Sequence, residues 1–304
     1  MATGMLDLHR LAVFVSVVER ESFSQAAEDL CLSQPCVSKH IKALEKLYGV
    51  RLLERGRRPV APTEAGKIVY RFVKNAIHSL EDLDNAMKEF NGGQTGVLAI
   101  GASVTTGNYL LPPILGRFKR QYPGVELRMR IAAPQYIYQA VQNGELQLGV
   151  TPGINVPKDL AVEALCKDEL VLVAAPGHPL AGREKITVQE LGEQGFIHSP
   201  PGTPIYELMK EALGKVGVSP RIIMAMDQIE AAKRAMQEGL GVSFLFRVSV
   251  EREIESGDLV ELNFEGPRFW AAYNLISSPT RYHSPLVRRF QSFLRSEVAA
   301  LFPG

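Results

Sequence analysis

The chain has 304 residues, 46% of them hydrophobic and 22% charged, which suits a globular protein of two or three domains with a sizeable core. No apolar run approaches the roughly 18 residues of a membrane span, and the N-terminus carries charge on both sides of a short amphipathic stretch with no small-residue cleavage site; a cytoplasmic protein is expected. Three cysteines (Cys31, Cys36, Cys166) exclude a disulfide framework, and a net charge of +1 conceals a basic block over residues 31–75, with ten basic and three acidic side chains.

In chain order, Leu8, Leu11, Val13, Phe14, Val17 and Val18 recur at helical spacing and predict a helix from Leu8 to about Arg20. Ser24 as a cap predicts a second, from Gln25 to Leu30, and "CLS" breaks it. Ser33 caps a third, with Gln34 and Pro35 in its first turn, where a missing N–H costs little. On that helix Val37, Ile41, Leu44 and Tyr48 share one face, and Gln34, Ser38, Lys39, Lys42 and Lys46 share the other, with Glu45 at its edge. Two short helices joined by a tight turn, the second offering Gln, Ser and Lys near its N-terminus, is the helix-turn-helix geometry that fits a major groove. Gln34, Pro35, Ser38 and Lys39 can reach base edges, Ser33 stands at the helix mouth, and Lys42 suits a phosphate. "GVRLLERGRRPVAPTEAG" then reads as a wing with Arg55, Arg57 and Arg58 at its tip, against the backbone or minor groove.

The run "FVSVVERESFSQAAEDLCLSQPCVSKHIKALEKLYGVRLLER", followed by "PTEAG", resembles the winged helix-turn-helix of the LysR-type transcriptional regulators over about 60 residues without a gap. Cys36 stands where a small alanine is usual, Leu53 where Phe is common, and Ala61-Pro62 precedes Thr63 where Leu often does; none removes a base-contacting type. Cys31 and Cys36 lack the spacing of a zinc site, so small packing residues are the expectation and no metal is expected.

From Thr63 to about Phe90 there is no proline, and Val69, Val73, Ala76, Leu80, Leu83, Met87 and Phe90 form a heptad seam about three repeats long. A seam on a helix between two domains suits self-association, and the resemblance implies a dimerising linker helix and often tetramers. "NGGQTG" is the expected hinge after it.

Beyond Val97, strand and helix patterns alternate: "GVLAIGA", a helix near 109–122, "VELRMRIA", the helix "YIYQAVQNGEL" and "QLGVT". A second set follows: "ELVLVAAP", "GFIHSPPGT", a helix over 204–216, "RIIMAM", a helix over 228–238 and "GVSFLF". "FWAAYNLIS" and a final helix over 285–300 are expected to return to the first lobe. In each lobe an apolar strand runs into small hydroxyl residues before a helix, "IGASVTTGNYLLP" and "FIHSPPGTPIYELM". Helix N-termini and hydroxyls offer donors, so each is half of an anion site or, read alone, a set of N-caps.

"YLLPPILGRFKRQYPGVELRM" and "AMQEGLGVSFLF" resemble the effector-binding domain of the same family, which is similar to periplasmic solute-binding folds. The fold class expected is therefore a multi-domain α+β and α/β chain: a winged helix-turn-helix (1–62), a dimerising linker helix (63–92) and a two-lobed solute-binding-like effector domain (93–304). Lobe I would take about 96–167 and 268–304, and lobe II about 168–267. The resemblance carries effector contacts over to Ser103, Thr105, Thr106, Thr151, Ser199, Gly202 and Thr203, with Gln228 and Phe246 at the opposite wall. Gln147 stands where an Asp is usual, which alters the hydrogen bonding of the first lobe. The implied partners are double-stranded promoter DNA, a small anionic metabolite, RNA polymerase and further copies of the chain, with no cofactor. The rival is a soluble α/β metabolite-binding enzyme with an appended DNA-binding domain. It lacks a G-x-S-x-G elbow, a phosphate-binding glycine loop and a metal-spaced His cluster, and His178, His198 and His283 stand alone.

Overall fold

The structure is a computed structural model that describes residues 7–54, 56, 59–90, 95–153, 155–201, 203–266 and 268–302. Arg55, Arg57, Arg58 and Gly202, and 91–94 of the expected hinge, lie outside the described residues.

The first helix, α1 (Leu8–Arg20), begins at Asp7, whose carboxylate accepts from the His9 N–H at 3.0 Å. The second, α2 (Phe23–Asp29), is capped by Ser22 and not by Ser24. Ser22 is extended and its hydroxyl accepts from the Gln25 N–H, so the helix starts two residues earlier than the serine reading places it. Ser33 caps α3 (Gln34–Tyr48) as expected, Pro35 sits in its first turn, and Gly49 closes it in the left-handed conformation. Val13, Phe14, Val17, Ala26, Val37, Ile41 and Leu44 form the core between the three helices. Tyr48 does not join them; its side chain is exposed at the end of α3.

The fourth helix, α4 (Glu64–Phe90), divides the heptad seam. Val69 and Val73 pack on the core of their own winged unit, while Leu80, Leu83 and Met87 are exposed. Thr63 starts this helix: its hydroxyl accepts from the Gly66 N–H at 3.0 Å and donates to the Arg51 carbonyl at 2.8 Å.

The remaining chain is α/β. Lobe I contains β1 (Gly96–Ala102), a π-helical turn over Thr106–Leu110 that leads into α5 (Leu111–Gln121), β2 (Val125–Ile131), α6 (Pro134–Gln142) and β3 (Leu148–Thr151). β4 (Ala161–Ala174) is twice the length its apolar run suggests, because "AVEALCKD" is a strand that is exposed or half-buried up to Lys167. It crosses the expected 167/168 lobe boundary without a break. Lobe II follows with α7 (Val188–Gly192), β5 (Gly195–His198), α8 (Pro204–Gly214), β6 (Arg221–Ala225), α9 (Ile229–Gln237), β7 (Ser243–Phe246), α10 (Arg247–Ser256) and β8 (Val260–Glu261). Then β9 (Phe269–Ser277) and α11 (Pro285–Leu301) return to lobe I. The charge-rich α10, "RVSVEREIES", and the short α7 and β8 had no pattern to announce them.

The sheet order is β2-β1-β3-β9-β4-β7, with β8 on β4. β5 pairs with β6 in parallel and is tied to the start of β7 by two bonds, Ile197 N–H to the Val242 carbonyl (2.9 Å) and Val242 N–H to the Gly195 carbonyl (3.0 Å). Each lobe therefore repeats one pattern, three parallel strands ordered second-first-third beside a long antiparallel strand: β2-β1-β3-β9 and β6-β5-β7-β4. Since β4 and β9 also pair with each other from Ala161 to Leu170, these two strands are the crossing between lobes.

Candidate functional site

On α3, Ser33, Gln34, Pro35, Lys39, Lys42 and Lys46 are exposed and Ser38 is half-buried. Glu45, the acid at the edge of that face, is turned away: its carboxylate accepts from the N–H groups of Leu52 (2.9 Å) and Leu53 (3.4 Å) at the base of the wing. The helix thus presents donors and positive charge to the outside while its one carboxylate anchors the next element. Leu53 pairs antiparallel with Pro62, and the Glu54 N–H donates to the Ala61 carbonyl at 2.9 Å, which makes a minimal hairpin. Among the described residues no cluster of His, Cys, Asp and Glu is placed to hold a metal.

The second-first-third strand order sends the two crossovers of each lobe to opposite faces, so a crevice opens at the carboxyl ends of the first and third strands. In lobe I those ends carry Ser103, Thr105, Thr106 and Thr151. The Ser103 and Thr106 hydroxyls are 2.9 Å apart, and Thr106 also donates to the Val150 carbonyl at 2.7 Å. Thr151 shares a 3.1 Å bond with the Tyr138 hydroxyl and accepts from the Gly153 N–H at 3.3 Å. Thr105, buried and at the mouth of the π turn, makes no side-chain capping bond. Gln147 holds the other end of this sheet, its side-chain oxygen accepting from the Ala99 N–H at 2.9 Å.

In lobe II Ser199 and Thr203 follow the first strand, Phe246 ends the third, and Gln228 follows the second. Thr203 caps α8, accepting from the Tyr206 N–H at 3.4 Å and donating to the Pro200 carbonyl at 2.9 Å. Phe246 is a core residue, its ring 5.6 Å from that of Tyr273. Gln228 is exposed just before α9. The hydroxyls expected to face a ligand are thus unequal: Ser103, Thr106, Thr151 and Thr203 hold the frame through their own bonds, whereas Thr105 makes no side-chain capping bond and Ser199 caps no helix.

The lobes meet where the Tyr109 hydroxyl donates to Glu230 at 2.6 Å. Lys233, only 4% exposed, lies 4.8 Å from the Tyr109 ring centre and pairs with Glu230 (2.8 Å) and Glu253 (2.7 Å). Burial and the Glu230 carboxylate hold the Tyr109 phenol well above its ordinary range, so it stays a donor. Beside the bridge a groove of about 700 Å³ is lined by both lobes, including Asn108, Pro113, Lys233, Ser249 and Arg252. None of the eight described effector residues read from the sequence lines it. Tyr109→Phe keeps the ring on Lys233 and deletes the bond to Glu230; a loss of about 1 kcal/mol is expected as a lower urea midpoint. An unchanged midpoint would mean that the bridge adds nothing to lobe contact.

Besides Lys233, sequence reading missed the buried Asp168, and it noted His198 only as a histidine standing alone. Asp168 on β4 accepts from the Tyr273 hydroxyl on β9 at 2.8 Å, and burial pushes its carboxyl up to about 6. His198 ends β5, and burial pushes its imidazole down to about 4. Strand parity was the available signal for Asp168, since it falls on the same face as Leu170 and Leu172, which are buried.

A DNA-reading helix joined by a long helix to a two-lobed α/β unit defines a regulator with a separate sensing domain. Residues 8–67 match the bacterial regulatory helix-turn-helix protein, lysR family, and residues 91–299 match the LysR substrate binding domain. The RuBisCO operon transcriptional regulator of Allochromatium vinosum is 32% identical over 299 residues, covering 97% of this chain and 98% of the relative. The crystal structure of ArgP from Mycobacterium tuberculosis superposes with a TM-score of 0.77 at 21% identity, covering 98% of this chain and 99% of that one. Full-length LysG from Corynebacterium glutamicum with bound effector Arg gives 0.68 at 19% identity, covering 97% and 99%. The chain belongs to the LysR family: it is a DNA-binding transcriptional regulator with an effector-binding domain, and not an enzyme. Among the described residues no helix is long and apolar enough to cross a membrane.

Proposed function

We propose that this chain binds a pseudo-palindromic promoter site in the cytoplasm as a dimer or tetramer, and that a small anionic metabolite held between the lobes tunes its contact with RNA polymerase. In this reading 1–62 binds DNA, 63–92 pairs, and 93–304 senses. Ser33, Gln34, Pro35, Ser38 and Lys39 read bases, and Lys42, Arg55, Arg57 and Arg58 neutralise phosphates. The observation that carries it is the exposed face of α3, all donors and cations once Glu45 is bound to the wing base.

Pairing is supported by an apolar groove of about 530 Å³ between α1, the end of α3 and α4, lined by Leu8, Tyr48, Val50, Ile68 and Phe72 among others, and by the exposed Leu80, Leu83 and Met87. Thr105, Ser199, Ser103, Thr106, Thr151, Gly202, Thr203, Gln228 and Phe246 form or frame the effector site at the two crevices. The relative's name supports a carbon-fixation operon as target and a sugar phosphate as the first effector to try.

The test is selection of bound sequences from random duplexes, followed by salt titrations. Lys42→Gln is expected to weaken specific and random DNA alike and to lower the salt slope by about 0.9 per lysine lost. Gln34→Ala should lose roughly 1–3 kcal/mol per half-site on the selected sequence alone. Equal losses on both DNAs for Gln34→Ala would remove it from base reading.

A further inference from the structure

Two polar atoms deep in lobe II have no hydrogen-bond partner among the described residues: Nε2 of His198 and Oγ of Ser243. His198 is 2% exposed and Ser243 1%. They stand at the end of β5 and the start of β7, the two strands that flank the lobe II crevice, and both line one small cavity of about 10 Å³. Met226, Ile229, Ala232, Phe244 and Leu245 form its apolar walls, and Ser199 borders it. That volume matches about one water molecule and no metabolite. Buried polar groups in folded proteins are almost always hydrogen-bonded, so two orphans facing one water-sized space share a cause.

We propose that this cavity holds one internal water molecule, which donates to Nε2 of His198 and bonds to Oγ of Ser243, and so fixes the base of the 199–203 loop. The donor pattern agrees. Nδ1 of His198 lies 3.4 Å from the Ser199 carbonyl, which suits the tautomer with its proton on Nδ1 and leaves Nε2 as an acceptor. Burial disfavours the charged imidazolium, which excludes an anion as the occupant. The strand end is held from outside as well, since the His198 carbonyl accepts from the Met226 N–H at 2.8 Å. The water would thus connect β5, β7 and the α9 wall beneath the loop that bears Ser199 and Thr203. This assignment stands whether or not that loop binds an effector.

A crystal structure of the full chain at about 1.6 Å tests it: a single peak about 2.7–3.2 Å from both Nε2 and Oγ is expected. An empty cavity, a peak in reach of one atom only, or a direct His198–Ser243 bond overturns the proposal. A thermal-melting cycle with His198→Leu, Ser243→Ala and the pair gives a second readout. Each single change should lower Tm, and the double change should lower it by less than the sum, because both singles strand the same water. Strictly additive shifts would mean that the two atoms share no partner.

Discussion

Asp168→Asn is expected to make the protein lose stability as pH falls from 6.5 to 4.5, relative to the wild type, and His198→Gln is expected to do the opposite. Both groups are 2% exposed, and burial is the main cause of both shifts, yet the shifts have opposite signs for stability. The folded-state carboxyl of Asp168 is raised to about 6 from 3.8, so below 6 the folded chain takes up a proton that the unfolded chain does not. Its burial cost, present at neutral pH, is therefore relieved as pH falls toward 3.8. The imidazole of His198 is lowered to about 4 from 6.5, so over that window the unfolded chain takes up a proton that the folded chain refuses. Stability from this group is complete above 6.5 and falls as pH drops toward 4. Each effect is on the order of 3 kcal/mol over its full window. In the wild type they largely cancel between pH 4 and 6, and each substitution exposes the other. Urea midpoints at pH 6.5 and 4.5 check this: the two variants should diverge from the wild type in opposite directions. Parallel pH profiles for all three proteins would show that neither group is buried as described. Asparagine can still accept from the Tyr273 hydroxyl, so the β4–β9 crossing need not be broken in the test.

The second large effect is expected at Gly66. A Cβ on this residue would stand 2.0 Å from the Leu52 carbonyl oxygen and 3.1 Å from the Pro62 Cβ. The first turn of α4 lies directly on the wing base, where the Thr63 N–H donates to that same Leu52 carbonyl at 3.0 Å. Backbone has to move to admit even a methyl group, and it would carry the Glu45 bonds to Leu52 and Leu53 with it. Gly66→Ala should therefore cost about 3 kcal/mol or more in the winged unit and abolish tight DNA binding. Differential scanning calorimetry should show the change in the winged unit while the effector domain's core, which Gly66 does not touch, keeps its own transition. An unaltered melt with normal DNA affinity would contradict the packing of α4 on the wing.

Much of this was legible from residue order. The helices of the DNA-binding unit follow from apolar spacing and from Ser33, a cap with no competitor beside it. The cap of α2 was misplaced because "ESFS" offers two serines two residues apart, Ser22 and Ser24, and backbone conformation alone chooses between them. The lobes were readable wherever strands were apolar runs. They were not readable where β4 carries Glu163 and Lys167 on a partly exposed stretch and buries Asp168 beside it, or where α10 is polar nearly throughout. The effector residues were read as a set, but local spacing does not reveal which hydroxyl is engaged: the Thr106 bond to Val150 spans 44 positions and the Thr151 bond to Tyr138 spans 13. Seam residues show the same limit. The pattern from Val69 to Met87 is uniform, yet its first part packs on the chain's own core, because the winged unit reaches only that far along α4.

The central claim is that a small metabolite binds at the paired crevices. The measurement that tests it most directly is a thermal-shift screen of sugar phosphates, carboxylates and sulfur metabolites against the wild type and Thr105→Val. At 100 times its dissociation constant a true effector should add about 2.7 kcal/mol of apparent stability to the wild type, and much less to the variant. A metabolite that stabilises both proteins equally, or none that stabilises either while selected DNA still binds, would contradict the crevice as the sensing site.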